Sequence, residues 1–378
     1  MSQSFTRGFC DHTANAANRR ASAWMKLGLA LLESNVSARL REALVHFDRA
    51  IELRQSLPLD GDPLFRYGLA ASWMNRGEVL TRLGSPGDLM QAIQAYDAAL
   101  EALQGLPLEG NPLFRRRLAI AWQNRGLVLQ AQGLGSKAGQ SFEQATALLQ
   151  HAHATAISDR DQLLATVYVN RARTLAKNHA WMPARSAARE ALALAATDEI
   201  RNLAMAVAGL NARHLLCQAV TALLEDKSPG NLSKDQLADE ALDAADDGLA
   251  LARSWANRDH GRLRPLALEL FRFGARAHQI FYPSFLGEFL LENLDPARSP
   301  DAFADDVAMQ TAARESLWDA VRGSWRSESS RPAAQWETLT ERLDELRAID
   351  RRLAELRQST PAPGSFTRPF FPASLAME

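Results

Sequence analysis

A block of 28 residues occurs twice in this chain. LPLDGDPLFRYGLAASWMNRGEVLTRLG (57–84) aligns without gaps onto LPLEGNPLFRRRLAIAWQNRGLVLQAQG (106–133), 49 residues later, with 17 of the 28 positions identical. The same offset carries Trp73 back to Trp24, Gly77 to Gly28 and Leu80 to Leu31. Going forward, Trp122 is answered 46 residues on by Tyr168, inside VYVNRARTL, and LNARHLL places Asn211 41 residues after Asn170. A sixth, faint copy, LFRFGARA, sets Gly274 in the place of Gly77. Units of this size each bury too little alone and stack to share one continuous core. The repeat therefore excludes most folds built around a single closed core.

Each unit reads as two helices. Asp62-Pro63 and Asn111-Pro112 supply an N-cap followed by proline at the first helical position. The first helix runs through Trp-x-x-x-Gly to a turn cluster, Gly84-Ser85-Pro86-Gly87 in the second unit. The second helix carries small-aromatic-small faces at i, i+4 and i+7: Ala43, Phe47, Ala50; Ala92, Tyr96, Ala99; Ala138, Phe142, Ala145. In the fourth unit the triplet is Ala184, Ala188, Ala191. Small residues let two helices approach closely while one ring fills the gap between them.

This constellation resembles the tetratricopeptide repeat (TPR) family. The resemblance is good over residues 14–200 and loose over 200–295. From Trp122 to Ala138 the spacing is 16, the family's own, but Trp24–Ala43 and Trp73–Ala92 are spaced by 19, which reads as inter-helix turns three residues longer. The repeats also exceed the family's usual 34 residues. The resemblance implies an all-α, right-handed α-solenoid of five to six antiparallel helix pairs over 14–295. After that the repeat stops. Asp301–Arg326 reads as one helix and Pro332–Arg357 as a second with an apolar stripe from Trp336 to Leu356, a C-terminal helical cap over 296–358. A coiled-coil seam between two copies is the alternative role for the second of these helices. Residues 359–378, rich in proline and carrying Phe366, Phe370 and Phe371, read as a disordered tail.

Two registers on the first helices are candidates for function. Two residues after each aromatic stand Lys26, Asn75, Asn124 and Asn170, with Asn211 and Arg272 at the matching places further on. Two residues is about 200° around a helix, so these side chains point away from the aromatic seam. In a TPR superhelix that direction is the concave surface, where such asparagines capture the amides of a bound peptide; the arrangement is similar to the asparagine ladder of O-linked N-acetylglucosamine transferases. Asparagine is a poor helix former, and its donor and acceptor suit a peptide amide. Duplication history, or a bond to a neighbouring helix, is the plainer reading. One residue later come Arg76, Arg125 and Arg171, nearly on the aromatic face, and the preceding units offer Asp48, Asp97 and Glu143. Acid and arginine vanish together: Arg189 replaces the acid of the fourth unit and Ala212 the arginine of the fifth. The pairs Asp48–Arg76, Asp97–Arg125 and Glu143–Arg171 are expected to join successive repeats, setting register more than adding stability.

Catalytic signals are weak. His151 and His153 fall on opposite sides of a helix; His214 and Cys217 lack a third ligand, and Cys217 reads as core. GLGSKAG (133–139) lacks the end of a phosphate loop and reads as a helix–helix turn, and WDAVRGSW (318–325) as a buried helix face. With 43 basic and 44 acidic residues the net charge is -1, which argues against a nucleic-acid or membrane-surface role. Cys10 and Cys217 form no redox or metal pair by spacing, no apolar run approaches about 18 residues, and the N-terminus lacks the apolar segment of a signal peptide. The expectation is a cytoplasmic, non-catalytic adaptor that needs no cofactor or metal and holds an extended or helical segment of another protein in its concave groove. Three alternatives stay open: a regulator whose groove is occupied by its own tail until a partner or peptide displaces it, an enzyme or enzyme subunit whose site the helical pairs support, and a nucleic-acid binder with an arginine-rich groove.

Overall fold

The computed structural model describes residues 2–34, 36–151, 156–225, 233–281, 286–294, 306–326, 347–351 and 353–355. All the regular structure among them is helical. Two compact units, 1–251 and 252–378, divide the chain.

The first unit is an α-solenoid. Its helices are α1 (Ser2–Leu32), α2 (Ser37–Gln55), α3 (Pro63–Leu83), α4 (Pro86–Leu103), α5 (Pro112–Ala131), α6 (Gly135–Gln150), α7 (Arg160–Lys177), α8 (Trp181–Ala195), α9 (Leu203–Glu225) and the beginning of α10 (Lys234–Phe281). The odd-numbered A helices and even-numbered B helices pack in chain order, each on the next. Successive A helices also touch one another (α1 on α3, α3 on α5, α5 on α7, α7 on α9), and successive B helices do so less. The A helices are thus the inner, concave layer of this unit.

Local chemistry sets the ends. Asp62 accepts from Leu64 N at 2.8 Å, and Asn111 from Phe114 N at 3.3 Å, satisfying N–H groups that a helix start leaves unpaired. Gly84 closes α3 with a left-handed φ of 73°, which favours glycine, and Ser85 then caps α4. The three extra residues of the first two repeats do not lengthen the turn by three, as the spacing had suggested: residues 33–36 separate α1 from α2, one more than in the third repeat. Only residues 84 and 85 separate α3 from α4, whereas 132–134 separate α5 from α6. The extra residues instead start the B helix earlier, with Pro86 at the first position of α4 in place of a longer loop.

A glycine and a ring lock each pair. A Cβ at Gly28 would lie 2.5 Å from Phe47 Cε1, at Gly77 2.9 Å from Tyr96 Cζ and at Gly126 2.6 Å from Phe142 Cε1. Each B-helix ring lies flat on the A-helix backbone and is buried. The fourth pair carries Ala172 and Ala188 at these places, both fully buried. Ring and glycine are lost together, so the space between the helices stays filled.

The fifth repeat departs from the pattern. Gly209 takes the aromatic's place, and Glu199 and Arg213 form a bidentate pair there at 2.8 and 2.8 Å; a Cβ at Gly209 would lie 2.3 Å from Glu199 Oε2. Helix α9 contains a stretch, Leu203–Leu224, long and apolar enough to cross a membrane by length and composition, contrary to the expectation of no such run; most of it is buried inside the fold as a core helix. No turn separates the fifth repeat's second helix from the sixth repeat's first: both lie in the 48-residue α10, which runs through Pro265. No Gly-Pro cluster of the kind that ends α3 interrupts 251–264. The division between the two compact units, after Leu251, falls inside α10.

The second unit comprises the rest of α10, α11 (Leu286–Leu294) and α12 (Val307–Arg326). Phe271 stacks on Phe289 at 5.5 Å, and Arg264 donates to Asp306 at 2.7 Å. Burial pushes the Asp306 carboxyl up, but Arg264 and the N–H groups of Met309 and Ala308 outweigh it, so the pKa is lowered. Helix α12 buries Met309, Ala312, Ala313 and Leu317. Trp318, read from sequence as part of a buried face, is 39% exposed, because it falls one position off that stripe. The expected helix start at 301–305, most of the expected helix 332–357, including Trp336, and the tail 359–378 lie outside the described residues.

Candidate functional site

The asparagine register lies on the A layer, but its members are not equivalent. Lys26 is exposed on α1, and Asn75 and Asn124 are half-buried on α3 and α5. The Tyr96 ring passes over Gly77 and brings its hydroxyl to the side chains of Thr81 and Asn124. Burial, more than the nearby Glu78, pushes that hydroxyl far above its ordinary pKa, so it stays a neutral donor. Asn124 is therefore anchored from behind by the B helix of the preceding repeat.

Asn170 departs from the expectation of an outward-pointing amide. It is 6% exposed, and its Oδ1 accepts from Arg173 Nη1 at 3.3 Å. Asn211 accepts from the other end of the same guanidinium, Arg173 Nη2, at 2.8 Å, and its own amide donates to Val207 O at 2.8 Å. Helices α7 and α9 touch over a longer stretch than the other neighbouring A helices, which covers Asn170. Arg272 belongs to the second unit, outside the unit that carries the asparagines, and pairs with Glu269 at 2.9 Å.

The arginine register meets the acids of the preceding repeat. Arg76 Nε lies 2.7 Å from Asp48, Arg125 Nε 2.6 Å from Asp97, and Arg171 Nη2 3.6 Å from Glu143. Arg76 lies over the Trp73 ring at 5.8 Å and Arg125 over Trp122 at 5.6 Å. Their stems thus cover the aromatic seam while the heads reach back one repeat. The acids are about half exposed, so each pair adds at most about 1 kcal/mol.

Three further arginines escaped the sequence reading. Arg54 of α2 is 6% exposed and bonds only neutral groups: Asn18 at 3.2 Å, Gly68 O at 2.7 Å, Ser72 at 2.8 Å and Ser22 at 3.1 Å. Burial first, and the charge of Arg117 second, lower its pKa to about 10. It fills the place of Leu103 and Leu149 in later repeats, and the signal was the absent side chain at Gly68, whose Cβ would lie 3.1 Å from Arg54 Nε. Arg117, seven residues before Asn124 and hence on the same face, donates to Tyr67 Oη at 2.6 Å and lies 4.6 Å over that ring, with its Nε buried and unbonded. Arg173 is the third; burial lowers its pKa too. Its position, five after the aromatic, holds Glu78 and Leu127 in the earlier repeats.

No cofactor-sized constellation emerges from these residues: among the described residues no three His, Cys, Asp or Glu side chains gather. Cys217 is a free, buried thiol whose Sγ donates to Ala241 O at 3.4 Å.

No family model matches the sequence, and no curated protein matches it. Among solved structures, it is similar to BtubC (BKLC) from P. vanneervenii at 14% identity, with 88% of this chain and 98% of that one covered and a TM-score of 0.43. A circular tandem repeat protein with novel repeat topology matches at 13% identity over 94% of this chain and 88% of its own, with a TM-score of 0.38. A de novo designed helical repeat protein matches at 15% identity over 79% of this chain and 100% of its own, with a TM-score of 0.15. At these scores the likenesses carry no argument, and the chain's own architecture is what makes it an all-α helical-repeat solenoid.

Proposed function

We propose that the chain is a TPR-type, non-catalytic adaptor that binds an extended or helical segment of another protein along its A layer. The observation that carries this reading is the row of polar side chains at one register, Lys26, Asn75 and Asn124, left at least partly open to solvent on the layer where successive helices approach most closely. An amide there can accept from and donate to a peptide backbone at once. A reduced, buried Cys217 suits a cytoplasmic setting. The test is affinity capture from a native lysate with wild type beside Asn75→Ala/Asn124→Ala. The variant should lose the captured protein while its urea midpoint moves little, since Tyr96 keeps Thr81 as a partner and one such bond contributes about 1 kcal/mol. Capture retained beside a large stability loss would assign the asparagines to structure alone.

A further inference from the structure

Ten arginines lie on α3, α5 and α7, and seven of them pair with a carboxylate: Arg66, Arg76, Arg82, Arg116, Arg125, Arg160 and Arg171. Arg115, Arg117 and Arg173 do not. Arg115 is 5% exposed, donates to Leu108 O and is enclosed between repeats. The other two flank the asparagine register on the A layer. Arg173 uses two of its five N–H groups, both on amide oxygens. Its Nε has no partner and is not among the enclosed polar atoms, so donors remain open. Arg117 uses one N–H, on a phenol, and feels the charge of the buried Arg54.

A guanidinium surrounded by neutral partners in a partly desolvated place is unusual, since such cations normally meet a carboxylate. Arg173 is not a relic of the repeat: it stands where the second and third units have Glu78 and Leu127, whereas the place of Arg117 holds Gly68 in the second unit and Arg19 in the first. Neither ties successive repeats by an ion pair, as Arg76, Arg125 and Arg171 do. Their geometry is that of donors prepared for an incoming anion: Asn170 and Asn211 hold the Arg173 fork from two sides, and the Tyr67 ring supports Arg117 from below.

We infer that the A layer of the third to fifth repeats takes an acidic peptide segment, with Arg173 and Arg117 receiving Asp or Glu carboxylates and Asn124 a backbone amide. The inference rests on the peptide-binding reading above and adds the chemistry of the ligand. A peptide fits better than a nucleic acid, the other polyanion: Arg76 and Arg125 cover the Trp73 and Trp122 rings that could stack on bases.

The experiment is selection of a phage-displayed library of random peptides on the full-length protein, followed by fluorescence polarisation with the synthetic winners. Arg173→Gln, Arg117→Gln and, as a control, Arg49→Gln are compared. Arg49 is exposed on α2 and pairs with Glu52. Winners enriched in Asp and Glu are expected, with affinity falling about tenfold or more in Arg173→Gln and in Arg117→Gln, the size of one lost charge-assisted hydrogen bond. Arg173→Lys should recover only part of it, and Arg49→Gln should bind as wild type. Melting curves show that each variant is folded. Winners without acidic residues, or acidic winners that bind Arg173→Gln and Arg117→Gln unchanged, overturn the carboxylate site and leave the peptide reading standing. A library that yields no binder overturns both. A single-stranded dT oligonucleotide that displaces the acidic peptide at lower concentration than the peptide itself overturns the inference in favour of nucleic acid.

Discussion

Gly126→Ala tests the packing rule of the repeat through a change of sign. In an ordinary helix the substitution stabilises by about 1 kcal/mol, because glycine loses the most backbone freedom on folding. Here the new Cβ would lie 2.6 Å from Phe142 Cε1 and 2.9 Å from Cδ1 and Cζ, well inside the contact distance of about 3.5–4.0 Å between carbons. Phe142 is fully buried and cannot swing away. Overpacking at the upper end of its usual range, about 3 kcal/mol, outweighs the propensity gain and leaves a net loss of about 2 kcal/mol. Phe142→Ala alone should cost about 3–5 kcal/mol. In that background the added methyl enters vacated space, as Ala172 and Ala188 coexist in the fourth repeat, so Gly126→Ala should now stabilise by about 1 kcal/mol. The two effects differ by about 3 kcal/mol, a coupling that urea unfolding by circular dichroism resolves when the m-values of the four proteins agree. A Gly126→Ala effect of the same sign and size in both backgrounds would refute the reasoning.

Ion pairs in the same fold should differ in weight. Glu199→Ala, which strands the buried Arg213, is expected to cost about 3–5 kcal/mol, while Asp97→Ala, at a half-exposed pair, should cost under about 1 kcal/mol; urea midpoints compare them. Burial pushes the Cys217 thiol from 9.0 up to about 12. A folded-state pKa above the unfolded one means that its contribution is complete below pH 9 and is lost as pH rises from about 9 towards about 12. In a Cys10→Ser background, a thiol reagent at pH 8 should therefore leave Cys217 unmodified until urea unfolds the protein. The urea midpoint should also fall more steeply above pH 9 than in Cys217→Ala. Rapid modification of the native protein at pH 8 would contradict that burial.

The elements legible in the sequence were those written more than once. Trp-x-x-x-Gly, the small-aromatic-small triplet and the Asp-Pro and Asn-Pro caps each occur in more than one unit, so comparison between copies showed what each place needs. The acid and arginine of neighbouring repeats could be paired because they disappear together at Arg189 and Ala212. What could not be seen were features that occur once. Arg54 replaces a core leucine in a single repeat, and only the missing side chain at Gly68 betrays it. The Glu199–Arg213 pair takes the place of the aromatic that marks every earlier unit, so comparison between copies has no counterpart for it. The asparagines share a register but not an environment, because α9 lies close enough to α7 to cover Asn170 and turn it towards Arg173. The fusion of two expected helices into α10 depended on the absence of a stop signal, which is harder to read than its presence.

The central claim is that the A layer is the face that meets a partner. A photo-crosslinking residue placed at Asn124 on α5 or, separately, at Gln144 on the exposed side of α6 asks this directly. In lysate, position 124 should yield one crosslinked protein species, lost when an acidic peptide competes, and position 144 none of that species. Crosslinking to the same protein from 144 but not from 124 would contradict it.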